Sequence, residues 1–195
     1  MLKNVWKNEW QYILPSLICL IIFASTDLFG FIEKTIFAYW SGALLLEPYR
    51  IVTSHFLHAD INHLLANVFG IVISRYFLNT LELRNSYLFL LLIICLIPLQ
   101  TLIFWLFDVF FYGNKMSLAI GFSGVLYGVN AFILLSSIYG KNRFFGFLCE
   151  LRKEKTTTKS MFVLTGVGMI CSLMPGVSLV GHLSGFIAGS LLFLI

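Results

Sequence analysis

Ser123 stands between two glycines in the stretch "GFSG", inside an otherwise apolar region. A serine hydroxyl becomes a nucleophile when a base takes its proton, and a neutral histidine can do so near pH 7. The sequence offers such a base in His182, which lies in "GHLSGFIAG" near the end of the chain. The alternative is that this serine and its glycines only allow two helices to pack closely.

His63 and Asn67 are a second pair of polar residues in an apolar segment, and they are four residues apart. On a helix this spacing puts both side chains on one face. An imidazole N–H and an amide N–H could donate to the oxyanion that forms when a serine attacks a carbonyl. Asp27 and Asp108 could orient a histidine, but nothing in the sequence favours either. We therefore predict acyl transfer by a serine–histidine dyad.

The composition indicates the kind of fold that holds these residues. The chain has 195 residues, of which 59% are hydrophobic and 11% charged, and its mean hydropathy is +0.91. A soluble domain cannot bury so much apolar surface, and a chain in lipid must pair its backbone polar groups internally. We predict an all-α membrane protein with one domain, residues 1–195, built as a bundle of six transmembrane helices. The predicted spans are residues 13–31, 61–78, 87–111, 122–139, 161–174 and 177–195.

The predicted spans place the polar residues at one depth. Spans two, four and six run in the same direction across the membrane. Counted to the inner end of each span, His63, Ser123 and His182 lie about 22, 24 and 20 Å away. In a hydrocarbon core of about 30 Å, this level is in the outer half of the membrane.

Glycines four residues apart would let spans four and six approach each other closely. They are Gly124 and Gly128 in span four, and Gly185 and Gly189 in span six. Because these two spans carry the serine and the histidine, the glycines favour contact between the two side chains.

Lysine and arginine are distributed unevenly between the predicted loops. With the N-terminus in the cytoplasm, ten of them lie inside and three outside, as the positive-inside rule requires. The net charge of +4 therefore reflects topology and does not indicate nucleic-acid binding. The run "LRKEKTTTK" is predicted to be a cytoplasmic loop. The inner charges are Lys3, Lys7, Arg75, Arg84, Lys141, Arg143, Arg152, Lys153, Lys155 and Lys159; the outer ones are Lys34, Arg50 and Lys115.

Three motifs together resemble the rhomboid family of intramembrane serine proteases. They are "HADINHLLANVFG" in span two, "GFSGVLYG" in span four and "GHLSGFIAG" in span six. The resemblance implies that Ser123 is the nucleophile and His182 its general base. It also implies that the substrates are transmembrane segments of other proteins, cleaved within the lipid bilayer near its outer leaflet. No metal or organic cofactor and no nucleic acid is implied.

The resemblance assigns supporting residues as well. His63, Asn67 and Gly121 correspond to the oxyanion side of the site, and Tyr127 to a tyrosine that packs on the catalytic histidine. The segment of about residues 32–60 would be an amphipathic loop in the outer leaflet, and span five would act as a lateral gate. The compact chain indicates a bacterial plasma membrane.

Other interpretations of the sequence stay open. His55, His58, Asp60 and His63 could form a metal site, although the H-E-x-x-H motif is missing. His63 and His182 could instead hold a haem between two helices. A catalytically silent rhomboid-like protein that binds membrane helices is a third possibility.

Overall fold

A computed structural model describes residues 6–83, 85 and 87–195. Lys3 and Arg84, two of the charges that predict orientation, lie outside the described residues, as does the side chain of Lys7. The α-helices described are α1 (Trp6–Phe23), α2 (Lys34–Phe37), α3 (Arg50–Thr53), α4 (Ile61–Thr80), α5 (Leu88–Leu106), α6 (Ser123–Tyr139), α7 (Lys155–Cys171) and α8 (Leu179–Leu194). The strands described are β1 (Tyr39–Trp40), β2 (Leu118–Ala119), β3 (Lys141–Phe144) and β4 (Phe147–Leu151).

Three helical segments among the described residues have the length and composition to cross a membrane. They are Glu9–Leu28, Ile61–Thr80 and Leu88–Phe111, where α1 and α5 are each extended by a π-helical turn. Helices α6 and α8 are also apolar but have 17 and 16 residues. At about 1.5 Å per residue they measure about 26 and 24 Å, which is shorter than a typical hydrocarbon core. The predicted helical membrane fold agrees with the structure, while the count of six spans stays a prediction.

Helix α1 begins earlier than the predicted first span. The prediction begins at residue 13, where the uninterrupted apolar run starts, but the helix already includes Glu9. The guanidinium of Arg75 on α4 donates to both carboxylate oxygens of Glu9, at 2.5 and 2.7 Å. Glu9 ends the apolar run, but it does not end the helix, because Arg75 on the neighbouring helix neutralises its charge.

Helix α7 also begins before the predicted span, and part of the predicted loop belongs to it. The prediction put residues 151–159 in a loop, but α7 starts at Lys155. The carboxylate of Glu154 caps it by accepting bonds from the backbone N–H groups of Thr156 and Thr157. These bonds lower the pKa of Glu154 to about 2. The segment before the cap is an antiparallel hairpin of β3 and β4, so the connection between α6 and α7 contains regular structure that was not predicted from the sequence.

Helices α6 and α8 touch through their backbones. A Cβ added at Gly185 would overlap the carbonyl oxygen of Gly124, and one at Gly189 would overlap that of Gly128. In the opposite direction, a Cβ at Gly128 would lie 3.0 Å from the carbonyl oxygen of Gly185. The glycines are therefore required for the crossing of α6 and α8.

The segment between α1 and α4 is folded against the start of α6. Strand β1 pairs antiparallel with β2, which lies just before α6. Arg50 is buried and anchors the segment, since its Nη1 donates to the carbonyls of Thr35 and Ala38 at 2.8 and 2.6 Å. The backbone N–H of Gly121 donates to the carbonyl of Ser54 at 3.0 Å. This bond fixes the backbone that leads into Ser123.

Candidate active site

Ser123 and His182 lie within hydrogen-bond distance at the starts of two helices. Ser123 is the first residue of α6, and His182 lies in the first turn of α8, where Ser178 caps the helix by accepting from the N–H of Gly181. The distance from Nε2 of His182 to Oγ of Ser123 is 2.8 Å. The serine is partly exposed and the histidine is 8% exposed. This is the geometry that proton transfer from a serine to a histidine needs.

Tyr127 covers one face of the His182 ring. It lies one turn after Ser123 on α6, and the two ring centroids are 4.2 Å apart with 19° between the planes. Stacked rings at this distance attract each other and restrict rotation of the imidazole. Tyr127 therefore helps to keep Nε2 directed at the serine.

Gly121, His63 and Asn67 lie together beside Ser123. Gly121 has φ +121°, and a Cβ there would lie 2.6 Å from the His63 ring and 3.8 Å from Nδ2 of Asn67. Only glycine therefore fits at position 121, against these two side chains. The side chain of Asp60 caps α4 by accepting from the N–H of His63, which fixes the first turn of this helix.

Two side-chain donors at this position are suited to an oxyanion. Asn67 is 3% exposed, and its amide nitrogen has no hydrogen-bond partner among the described residues. The N–H of Ala59 approaches Nδ1 of His63 at 3.4 Å, which leaves the proton on Nε2, the ring nitrogen nearer Gly121. A buried donor without a partner is costly and is rare unless a ligand is bound there.

The start of α6 adds backbone donors. The first helical hydrogen bond of α6 runs from the N–H of Leu126 to the carbonyl of Phe122. The N–H of Ser123 precedes that bond, in the turn whose donors have no partner within a helix. The positive end of the helix dipole also favours a negative charge here. The candidate oxyanion site therefore receives donors from α4 and from the backbone of α6.

A family model described as the Rhomboid domain matches residues 45–195, which is most of the chain. The chain belongs to the rhomboid family. The resemblance seen in the motifs is thereby confirmed. It makes the protein a member of a family of integral membrane proteins that is associated with intramembrane proteolysis and that also includes inactive members. No curated protein sequence matches the chain significantly.

The residue that contacts the other ring nitrogen of this rhomboid's histidine was not predicted. Nδ1 of His182 lies 2.5 Å from Oγ of Ser172, at the end of α7. The two acidic candidates are engaged elsewhere: Asp27 pairs with Lys34 at 2.6 Å, and Asp108 accepts from the hydroxyl of Tyr39 at 2.9 Å. A serine in an apolar span has no pattern that marks it, so the sequence carried no signal for Ser172.

His55 and His58 have structural partners in this rhomboid. Nε2 of His55 lies 2.8 Å from the hydroxyl of Thr101, and Nδ1 of His58 lies 3.2 Å from the carbonyl of Phe56. Burial lowers the pKa of both histidines to about 4, so both are neutral at pH 7. Within the described ranges, no group of three or more His, Cys, Asp or Glu residues could hold a metal ion. The donor set therefore gives no support to a metal site at these histidines.

Proposed function

We propose that this rhomboid is a serine endopeptidase that cleaves transmembrane segments of other membrane proteins in the outer half of the bilayer. The observation that carries the proposal is the 2.8 Å contact between Nε2 of His182 and Oγ of Ser123. Both ring nitrogens of His182 face serine hydroxyls. This favours a base over a haem ligand, because haem iron would need one of these nitrogens.

The proposed reaction is acyl transfer in two steps. Oγ of Ser123 attacks the carbonyl carbon of the scissile peptide bond while its proton passes to Nε2 of His182. The oxyanion accepts hydrogen bonds from the Ser123 N–H, from Asn67 and from His63. His182 then gives the proton to the departing amide nitrogen, which leaves an acyl-enzyme. A water molecule, deprotonated by His182, releases the second product as a carboxylic acid.

The proposed substrate route lies between α4 and α7. A lateral groove of about 610 Å³ with a mostly apolar lining lies between the second half of α4 and the first half of α7, toward the ends of these helices that are far from the dyad. It would receive the inner part of a substrate helix. The lining includes Val72, Tyr76, Val163 and Leu164. Because α6 and α8 are held together by backbone contact, α7 is the neighbouring helix that can move aside for a substrate helix. A substrate with residues of low helix propensity near the outer surface would unwind there at a lower cost.

The proposed orientation puts the N-terminus in the cytoplasm of a bacterium and the dyad near the outer face of the plasma membrane. The surplus of lysine and arginine on one side supports this orientation. With six spans, α6 and α8 would both run inward, so their first turns, with Ser123 and His182, would lie near the outer surface. Water for the second step would then enter from outside.

A covalent probe tests the proposal. Purified protein in lipid vesicles is treated with a fluorophosphonate, beside Ser123→Ala and His182→Ala proteins, and cleavage of a single-span substrate is followed in parallel. We expect labelling and cleavage in the parent protein and neither in the two variants. Cleavage by the Ser123→Ala protein would refute the mechanism. A folded parent protein that binds the substrate helix but neither labels nor cleaves would show a silent helix-binding member of the family.

A further inference from the structure

Ser172 touches the histidine on the side opposite Ser123. Its Oγ lies 2.5 Å from Nδ1 of His182 and 2.8 Å from the carbonyl oxygen of Gly168, one turn back on α7. The side chain is only 2% exposed, so water does not compete for these two contacts. Bonds from a helical serine to the carbonyl four residues earlier are common, and such a bond would direct the hydroxyl hydrogen of Ser172 away from His182.

The hydrogen atoms available decide which ring nitrogen is protonated. A serine hydroxyl has one hydrogen to donate, whereas a carbonyl oxygen can only accept. When Ser172 donates to Gly168, it can only accept from His182, so the ring proton lies on Nδ1. Nε2 is then unprotonated and can take the proton of Ser123. In the reverse arrangement Ser172 donates to Nδ1, the ring proton lies on Nε2, and His182 cannot act as the base.

We propose that Ser172 is a positioning residue that holds His182 in the tautomer protonated at Nδ1. This inference rests on the proposed function of the Ser123–His182 site. In triads, a buried aspartate accepts from the same ring nitrogen and sets the tautomer. Here a neutral hydroxyl does so, and its own hydrogen is occupied by Gly168. A hydroxyl stabilises the imidazolium of the reaction less than a carboxylate does, so its removal has a smaller effect.

The same turn of α7 also supports the ring that stacks on His182. A Cβ added at Gly168 would overlap the hydroxyl of Tyr127, so glycine at this position makes room for the tyrosine. Tyr127 in turn stacks on His182. The last turn of α7 therefore contacts the base directly through Ser172 and indirectly through Tyr127. If α7 moves aside to admit a substrate, it must return before His182 regains its tautomer.

Kinetics of three variants give the first readout. Ser172→Ala removes the acceptor, Ser172→Thr keeps a hydroxyl that can still bond to Gly168, and Ser74→Ala is the matched control. Ser74 is 1% exposed and its hydroxyl bonds to the carbonyl of Gly70 at 2.9 Å, in α4. We expect kcat/KM for a single-span substrate to fall about two- to ten-fold in Ser172→Ala. We expect Ser172→Thr and Ser74→Ala to stay within about two-fold of the parent protein.

Nitrogen NMR of the histidine ring gives a readout that a merely structural role would not change. The full-length protein is labelled with ¹⁵N-histidine at pH 8, and the His182 signals are those missing from His182→Ala. We expect a protonated Nδ1 and an unprotonated Nε2 in the parent protein, and a mixture of tautomers in Ser172→Ala. An unchanged tautomer in Ser172→Ala overturns the inference, whatever the rate. Because the NMR needs no substrate, it decides this inference even if the peptidase proposal fails.

Discussion

The rings of Tyr127 and His182 lie nearly parallel, with 4.2 Å between their centroids. The tyrosine belongs to the helix of the nucleophile and the histidine to the helix of the base, so this contact joins the two halves of the dyad. An aromatic pair of this kind contributes about 0.5–1.5 kcal/mol beyond the area it buries. The contact is therefore large enough to have a measurable effect on the reaction.

Two replacements of Tyr127 should distinguish the contribution of its aromatic ring to activity from that of its hydroxyl. Tyr127→Phe keeps the stacked ring, and we expect kcat/KM to stay within about two-fold of the parent value. Tyr127→Ala removes the ring, and we expect kcat/KM to fall about three- to ten-fold because the imidazole can rotate. Steady-state cleavage of a single-span substrate measures both. A loss in Tyr127→Phe as large as in Tyr127→Ala would argue against stacking as the cause.

Removal of the Asn67 amide should slow the reaction without abolishing it. Oxyanion donors contribute mainly in the transition state, so we expect Asn67→Ala to lower kcat by up to about 100-fold with little change in KM. His63 and the Ser123 N–H would still donate, which keeps some activity. Asn62→Ala is the matched control, because Asn62 is an exposed asparagine on the same helix. Equal effects of the two substitutions would contradict the oxyanion role of Asn67.

Alanine at Gly185 should disrupt the crossing of α6 and α8. Its Cβ would overlap the backbone of Gly124, which cannot rotate away, and we expect a loss of about 3 kcal/mol of folding stability. Gly166→Ala serves as the control, since a Cβ there meets nothing within 4 Å and alanine favours a helix. Thermal unfolding in one detergent measures both. A Gly185→Ala protein with the parent melting temperature would show that the helices can separate at little cost.

Acid should destabilise the fold through His55 and His58. Burial lowers the pKa of each to about 4, whereas an unfolded histidine titrates near about 6.5. Between these values the unfolded chain binds protons that the folded chain does not, so stability falls as the pH falls. We expect a lower melting temperature at pH 5 than at pH 7.5. Glutamine does not titrate, so His55→Gln should reduce the difference in melting temperature between the two pH values. If that difference is unchanged, His55 does not contribute to the acid destabilisation.

The sequence predicted the contact between Ser123 and His182 because both lie beside glycine stripes at equal depth. A glycine stripe can be recognised within a single helix. The resemblance of the motifs to the rhomboid family then indicated that spans four and six are the two helices in contact. Ser172 could not be found in this way. Its contact with His182 depends on how α7 packs at its outer end, and one serine among many in apolar segments carries no signal of that packing.

Two boundaries were missed for a related reason. Hydropathy counts treat a charge as the end of a membrane helix, yet Glu9 is inside α1 because Arg75 of α4 pairs with it. Likewise, the basic run after β4 enters α7 because Glu154 caps the helix. Both outcomes depend on individual hydrogen bonds that an average over a window of residues does not register.

The backbone contact between α6 and α8 has a consequence for how accurately the dyad is aligned. Because main-chain atoms make this contact, no side-chain rotamer at Gly124 or Gly185 can broaden the distance between the two helices. Thermal motion can then change the distance between the two helices at this crossing only by bending them, and a helix resists bending over a single turn. The backbone of the two helices therefore sets the relative positions of the main-chain atoms of Ser123 and His182. Substitutions elsewhere can alter how a substrate arrives or how the His182 ring is held, but they have little means of changing the spacing of the two helices.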